Sequence, residues 1–240
     1  MKRKKRGHLK KMALLMFLLL VACVGYFLVV NGVIHYSSKL KSFGIIKQEE
    51  HNTASDKYGW ELMLVNRDNY VPDIYEIDFM ELSNGQKIDS RIYPYLQEVF
   101  DDARNNAGVY PFVREGYRTA EEQQQILDDK IAAYRSEGYT KHMAEETAME
   151  WVALPGTSEH QLGIAVDINA DTSKCSRDDV YNWLLENSYK YGFIQRYPSG
   201  KTSITGVANE PWHYRYVGKD AAEAIHQSGM CLEEYIDTLD

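Results

Sequence analysis

Ser158-Glu159-His160-Gln161-Leu162-Gly163-Ile164-Ala165-Val166-Asp167 begins polar and ends as a strand. From Ile164 onward, Ile164, Val166 and Ile168 alternate with Ala165, Asp167 and Asn169, a period of two that sends the first set into a core and Asp167 to the other face. A second stretch, Glu210-Pro211-Trp212-His213-Tyr214-Arg215-Tyr216-Val217, is rich in strand formers from His213 and aims His213, Arg215 and Val217 to one face. If these strands pair, Asp167 and His213 share a face, and His160 joins them from the loop that Gly163 turns back toward the sheet.

Two imidazoles and one carboxylate suit a tetrahedral zinc ion and leave its fourth position for water, as in catalytic sites and unlike closed structural ones. Water so held has its pKa lowered toward about 7 and becomes a nucleophile at neutral pH. Glu210 has no ligand position left to fill, so its carboxylate is the candidate to take the proton from that water and pass it to a leaving amine. Pro211 keeps Glu210 extended and holds this base on a stiff turn. His8, His35, His51, His142 and His226 stand outside this constellation and read as surface or satisfied core residues.

The segments resemble those of the VanY-type D-alanyl-D-alanine carboxypeptidases, zinc metallopeptidases grouped with VanX dipeptidases and the L,D-carboxypeptidases of the bacterial wall. The shared signature is S-x-H-x-x-G-x-A-x-D followed by E-x-W-H, which some members lengthen by one residue between Glu and Trp. The likeness also takes in Gly116-Tyr117-Arg118-Thr119, the run from Trp183 to Pro198 and Glu210 to Gly218, and covers roughly residues 60 to 230. It implies zinc on His160, Asp167 and His213, Glu210 as general base, and Arg118 hydrogen-bonding the scissile carbonyl as an oxyanion develops. A guanidinium suits that task because it stays charged and presents a planar fork of donors. The resemblance also puts Ser158 and Gln123 in contact with substrate, a peptidoglycan stem peptide ending in D-Ala. Arg114-Glu115 before Gly116 departs from the small residue that relatives often carry and alters the expected pocket rim.

Lys2, Arg3, Lys4, Lys5, Arg6, Lys10 and Lys11 form a basic tail, and no charge interrupts Met12 to Val30. Those nineteen residues, at about 1.5 Å each, reach about 30 Å, enough for a bilayer core. A cleaved signal peptide has an apolar stretch of only about 7 to 15 residues. We therefore expect a single-pass anchor over 12–34, a cytoplasmic tail over 1–11, a polar stalk over 35–58 and an extracytoplasmic zinc carboxypeptidase domain over 59–240 of a bacterial cell-membrane protein. Leu20-Val21-Ala22-Cys23 also resembles a lipoprotein processing box, although Val24 to Val30 stays apolar where such proteins turn polar; either route tethers the domain.

Of the 27 Lys and Arg, seven lie in the first eleven residues and none of the 35 Asp and Glu precedes Glu49, so residues 12–240 carry 20 − 35 = −15. So acidic a domain is a poor partner for nucleic acid or anionic lipid. Cys175 and Cys231 are the thiols an oxidising compartment could join, which spacing does not decide.

Ile92, Tyr95, Leu96, Val99, Phe100 and Ala103 recur at helical spacing, and Gly108 ends that helix. Thr119 with Glu122 forms a capping box for a helix toward Gly138, which leaves Arg118 at a strand-to-helix corner. Asp178 or Asp179 caps a helix through Tyr191, ended by Gly192, and Lys219 to Gln227 forms another. Strands are predicted near 61–65, 74–79, 109–114, 164–168, 193–197 and 213–217. Helices fall in a block before the zinc strands and not one after each strand, which argues for an α+β fold: a central, mainly antiparallel sheet carrying the zinc site, flanked by helices and preceded by the transmembrane helix.

Three motifs are set aside. Ser38-Lys39-Leu40-Lys41 matches S-x-x-K but lies in the stalk with no K-T-G after it; Gly200-Lys201-Thr202 lacks the first P-loop glycine, position 195 being Gln; and Glu121-Glu122 and Glu145-Glu146 read as solvent-facing. H-E-x-x-H is absent. Two rivals stand beside the D,D-carboxypeptidase: an L,D-carboxypeptidase or wall endopeptidase using the same site, and a non-catalytic binding module that keeps zinc for structure, as the hedgehog signalling domain is described.

Overall fold

A computed structural model describes residues 52 to 240. The basic tail, the apolar run over 12–34 and the stalk as far as His51 lie outside the described residues, as does Ser38-Lys39-Leu40-Lys41. Among the described residues no helix is long and apolar enough to cross a membrane.

The elements run β1 (Asn52–Thr53), β2 (Asn69–Tyr70), β3 (Phe79–Glu81), β4 (Lys87–Asp89), α1 (Tyr93–Ala107), β5 (Pro111–Glu115), α2 (Ala120–Ser136), α3 (Lys141–Met149), β6 (Ala165–Ala170), α4 (Arg177–Asn187), β7 (Phe193–Gln195), α5 (Thr202–Thr205), β8 (His213–Tyr216), α6 (Lys219–Ser228) and α7 (Leu232–Asp237). The central sheet has the order β5-β6-β8-β7, and every neighbouring pair in it is antiparallel, as an α+β fold requires. Ile164, Val166 and Ile168 are fully buried against Leu96, Val99 and Ala103 of α1 and Val180 and Leu184 of α4, so the period of two marks the core face correctly.

Local chemistry sets the helix ends. Gly108 closes α1 with φ 67°, a left-handed conformation that other residues rarely adopt. Thr119 accepts from the Glu122 amide while the Glu122 carboxylate accepts from the Thr119 amide, so the expected capping box opens α2. The start of α4 differs from expectation: Ser176 is the cap and Asp179 is its reciprocal partner. A hydroxyl both donates and accepts, so Ser176 bonds the Asp179 amide while its own amide and hydroxyl go to the Asp179 carboxylate. The helix then stops at Asn187 and a tighter turn, Ser188–Tyr191, continues to Gly192.

Two predicted strands fail to form as drawn. Over 61–65 the chain makes a short turn of helix, Trp60–Leu62, and the carbonyls of Glu61 and Met63 accept from Arg215 Nη2 in place of a neighbouring strand. Over 74–79, pairing begins only at Phe79, where β4 supplies a partner. Folded structure also starts earlier than residue 59, since β1 pairs with β2 and Ala54 is buried in the core. Cys175 and Cys231 are both free thiols.

Candidate active site

Strand register builds the first half of the site. Asp167 lies directly opposite His213 across β6 and β8, and His213 Nδ1 stands 3.0 Å from Asp167 Oδ1. His160 arrives from the short turn Glu159–Leu162, which Gly163 ends with φ 69°. A side chain on Gly163 would press to 3.1 Å from the Asp89 amide, which donates to the Gly163 carbonyl at 2.8 Å, so a glycine is required at this close approach. Gly116 is required for a different reason: a Cβ there would sit 2.2 Å from the Lys87 carbonyl oxygen.

The Gly116 carbonyl accepts from His160 Nδ1 at 2.7 Å, which leaves His160 Nε2 as the free lone pair, 3.4 Å from the same Asp167 Oδ1. One ligand atom from each of His160, Asp167 and His213 thus lies within 4.8 Å of the others, and no other such group occurs among the described residues. The donor set, the fixed tautomer of His160 and the convergence on one point fit a divalent ion of the zinc class.

The group opens on a cleft of about 360 Å³ whose lining includes Arg118, Gln123, Ser158 and Glu210 beside the three converging residues. All seven residues singled out in the sequence therefore meet at one place. Arg118 sits between β5 and α2 and its amide donates to the His160 carbonyl at 3.3 Å, which fixes the corner against the turn that carries His160. Gln123, on the first turns of α2, gives its amide to the Ala153 carbonyl at 2.7 Å. Arg118 Nε and Gln123 Oε1 are buried without a hydrogen-bond partner among the described residues, which leaves one donor and one acceptor facing unmet demand.

Electrostatics divide the carboxylates. Burial pushes Glu210 up to about 7, with the Asp167 charge adding to the rise and His213 and Arg118 opposing it. Burial also works against ionised Asp167, but His160 and His213 outweigh it and hold that carboxyl well below the usual range. For His213 burial lowers the pKa, yet the bond to Asp167 and the Glu159 carboxylate 3.7 Å from Nε2 prevail and raise it to about 9; His160 is lowered, chiefly by burial.

Comparison with known proteins gives these residues a context. The family described as VanY: D-alanyl-D-alanine carboxypeptidase matches residues 85–219. A D-alanyl-D-alanine carboxypeptidase of Enterococcus faecalis is 55% identical over 201 residues, covering 81% of this chain and 75% of the relative. The chain belongs to the VanY family. Among solved structures, VanYB in complex with D-alanine-D-alanine superposes with a TM-score of 0.74 at 58% identity, covering 75% of this chain and 99% of that one. A mutant of the vancomycin resistance D,D-pentapeptidase VanY from a VanB-type resistance cassette, in complex with Zn(II), gives 0.72 at 59%, covering 74% and 99%.

Behind the VanY signature lies a layer the sequence did not announce. Glu159, between Ser158 and His160, is fully buried, and its Oε1 accepts from Arg196 Nε and Arg215 Nη1, each at 2.8 Å. Arg196 in turn makes two bonds to Glu233 of α7, at 2.8 and 2.6 Å. The guanidiniums outweigh the cost of burial and hold the Glu159 carboxyl well below the usual carboxylate range. Arg215 was the available signal: it shares a face with His213 two residues away, so a cation had to be buried beside the metal residues and needed a carboxylate. Lys130 of α2, and Trp151, Tyr197 and Trp212 from connections between elements, also line the cleft and were not singled out as site residues.

Proposed function

We propose that this chain is a membrane-tethered zinc D,D-carboxypeptidase that hydrolyses the terminal D-Ala-D-Ala bond of peptidoglycan stem peptides or their precursors. The convergence of His160, Asp167 and His213 at a cleft that also holds Glu210 carries the proposal. Zinc held by those three residues supplies Lewis-acid activation of a water molecule and of the amide carbonyl. Glu210 accepts a proton from the attacking water and delivers it to the nitrogen of the departing D-alanine; a carboxyl pushed toward neutrality suits both tasks. Arg118 Nε donates to the carbonyl oxygen as it gains negative charge. Gln123, its amide nitrogen already committed to Ala153, offers Oε1 to a substrate N–H, and Ser158 adds a hydroxyl at the same wall.

The tether rests on the basic tail and the uncharged run from Met12 to Val30, with export leaving the acidic domain on the outer face. Removing Met12 to Ile34 should convert the protein from membrane-bound to released. For the reaction, mass spectrometry of pentapeptide, tetrapeptide and cross-linked substrates decides. Loss of one D-alanine from the pentapeptide, blocked by a chelator and restored by zinc, is expected. Preferential trimming of the tetrapeptide would assign the L,D-carboxypeptidase reaction, and zinc binding without release from any substrate would assign a binding module.

A further inference from the structure

The geometry points to Glu159 as a positioning residue that fixes the ring of His213 through the nitrogen facing away from the metal group. Two buried atoms carry the inference. Among the described residues His213 Nε2 and Glu159 Oε2 each lack a hydrogen-bond partner, and they face one another at 3.7 Å. A donor and an acceptor orphaned in the same buried spot, within a few tenths of an ångström of bonding range, form a pair that closes on a small shift of either group.

The surroundings leave each atom no other role. Glu159 Oε1 is occupied by Arg196 and Arg215, so only Oε2 is free to turn toward the imidazole. His213 Nδ1 faces Asp167, so Nε2 is the nitrogen that carries the proton once Nδ1 gives its lone pair to a metal. His160 has the matching device in a neutral form, its Nδ1 on the Gly116 carbonyl. One metal histidine is thus oriented by a carbonyl and the other by a carboxylate, and an imidazole backed by a carboxylate is the more basic ligand.

The carboxylate is itself held in place. Glu159, Glu233, Arg196 and Arg215 bring two negative and two positive groups together, and Arg215 also donates to the Glu61 and Met63 carbonyls. A charge that cannot swing away keeps the imidazole at a fixed angle, and this couples the metal group to the C-terminal helix α7.

This inference rests on His213 being a metal ligand, and its failure can be told from a failure of that reading. Nitrogen NMR of the full chain with isotope-labelled histidine, loaded with zinc, reads the tautomer directly. We expect His213 bound through Nδ1, with an Nε2 proton protected from exchange. Zinc bound through Nε2 of His213, or a freely exchanging Nε2 proton, would overturn the role of Glu159; no zinc at all would overturn the metal site itself. Chelator competition adds a second readout: Glu159→Gln should weaken zinc binding by about 10- to 100-fold, the usual cost of losing such a partner. Glu233→Gln, which loosens Arg196 without touching His213, should lower stability and leave zinc affinity near that of the parent. Equal zinc affinity in Glu159→Gln and the parent, or equal losses in the two variants, would assign Glu159 to folding alone. Should Glu159→Gln fail to fold, the tautomer measurement on the unmodified chain still decides.

Discussion

On the cleft side of His213, Glu210 is largely enclosed by the protein and feels its neighbours' charges only at a distance; on the far side, Glu159 is enclosed still more completely but clasped by two guanidiniums at 2.8 Å. Burial penalises both charges, and the outcome depends on what else is present. Glu210 rises to about 7 and can trade a proton, whereas Glu159 is held well below the carboxylate range and stays a fixed anion. The same residue type is thus suited, in the roles proposed above, to carry a proton in front of the imidazole and to brace it from behind. Among the described residues the front of the site keeps two unpartnered atoms, Arg118 Nε and Gln123 Oε1, that a substrate can satisfy, while each guanidinium at the back is paired with a carboxylate.

Variants that unbalance front and back should separate them. The largest effect belongs to the residues that meet at the centre: His160→Ala should bind no zinc by metal analysis and release no D-alanine, and full zinc occupancy would contradict its assignment as a ligand. Next, Arg118→Ala should keep its zinc and lose about 10²- to 10³-fold in kcat, the usual cost of removing one oxyanion donor. A change confined to KM would mean that Arg118 only holds the substrate.

The back of the site should reveal itself in stability. Glu159→Gln leaves two buried guanidiniums short of a partner and should cost about 3 to 5 kcal/mol in chemical denaturation. Glu159 has a depressed folded pKa, so its contribution is present above the ordinary carboxyl value of 4.5 and lost as pH falls. Glu210→Gln should do the reverse. Its folded pKa of about 7 lies above the ordinary 4.5, so its contribution is fullest at low pH and lost as pH rises through 7. In chelated protein at about pH 8, replacing that buried charge should stabilise by roughly 1 to 3 kcal/mol. Matching signs for the two variants would break the contrast.

The smallest expected effect is on pH dependence. Glu210 must be ionised to accept a proton, and its carboxyl sits at about 7 in the metal-free protein. A bound divalent ion favours the charged form, so the acid limb of kcat/KM should fall below pH 7. A profile with no acid limb between about pH 5 and 8 would remove Glu210 from proton transfer.

Much of the front was legible in the sequence, and little of the back. Alternation over Ile164 to Asn169 and the strand composition after His213 located the pair of strands, and the register Asp167↔His213 follows from their antiparallel pairing. Gly108, Thr119 and Glu122 announced their helix ends because capping is local chemistry. Glu159 gave no such sign, since its role depends on Arg196 and Arg215, which lie 37 and 56 residues away. The apolar run at 61–65 looked like a strand because composition records burial and not the partner. Its carbonyls at Glu61 and Met63 accept from the Arg215 side chain, which no periodicity encodes.

Everything turns on a carboxylate at Glu210 acting beside a metal that His160, Asp167 and His213 hold. Zinc content and D-alanine release from a pentapeptide, measured on one preparation of Glu210→Ala, test this most directly. Full zinc occupancy with turnover lower by about 10²- to 10⁴-fold is expected. Release at close to the parent rate would contradict it, as would a variant that has lost its zinc.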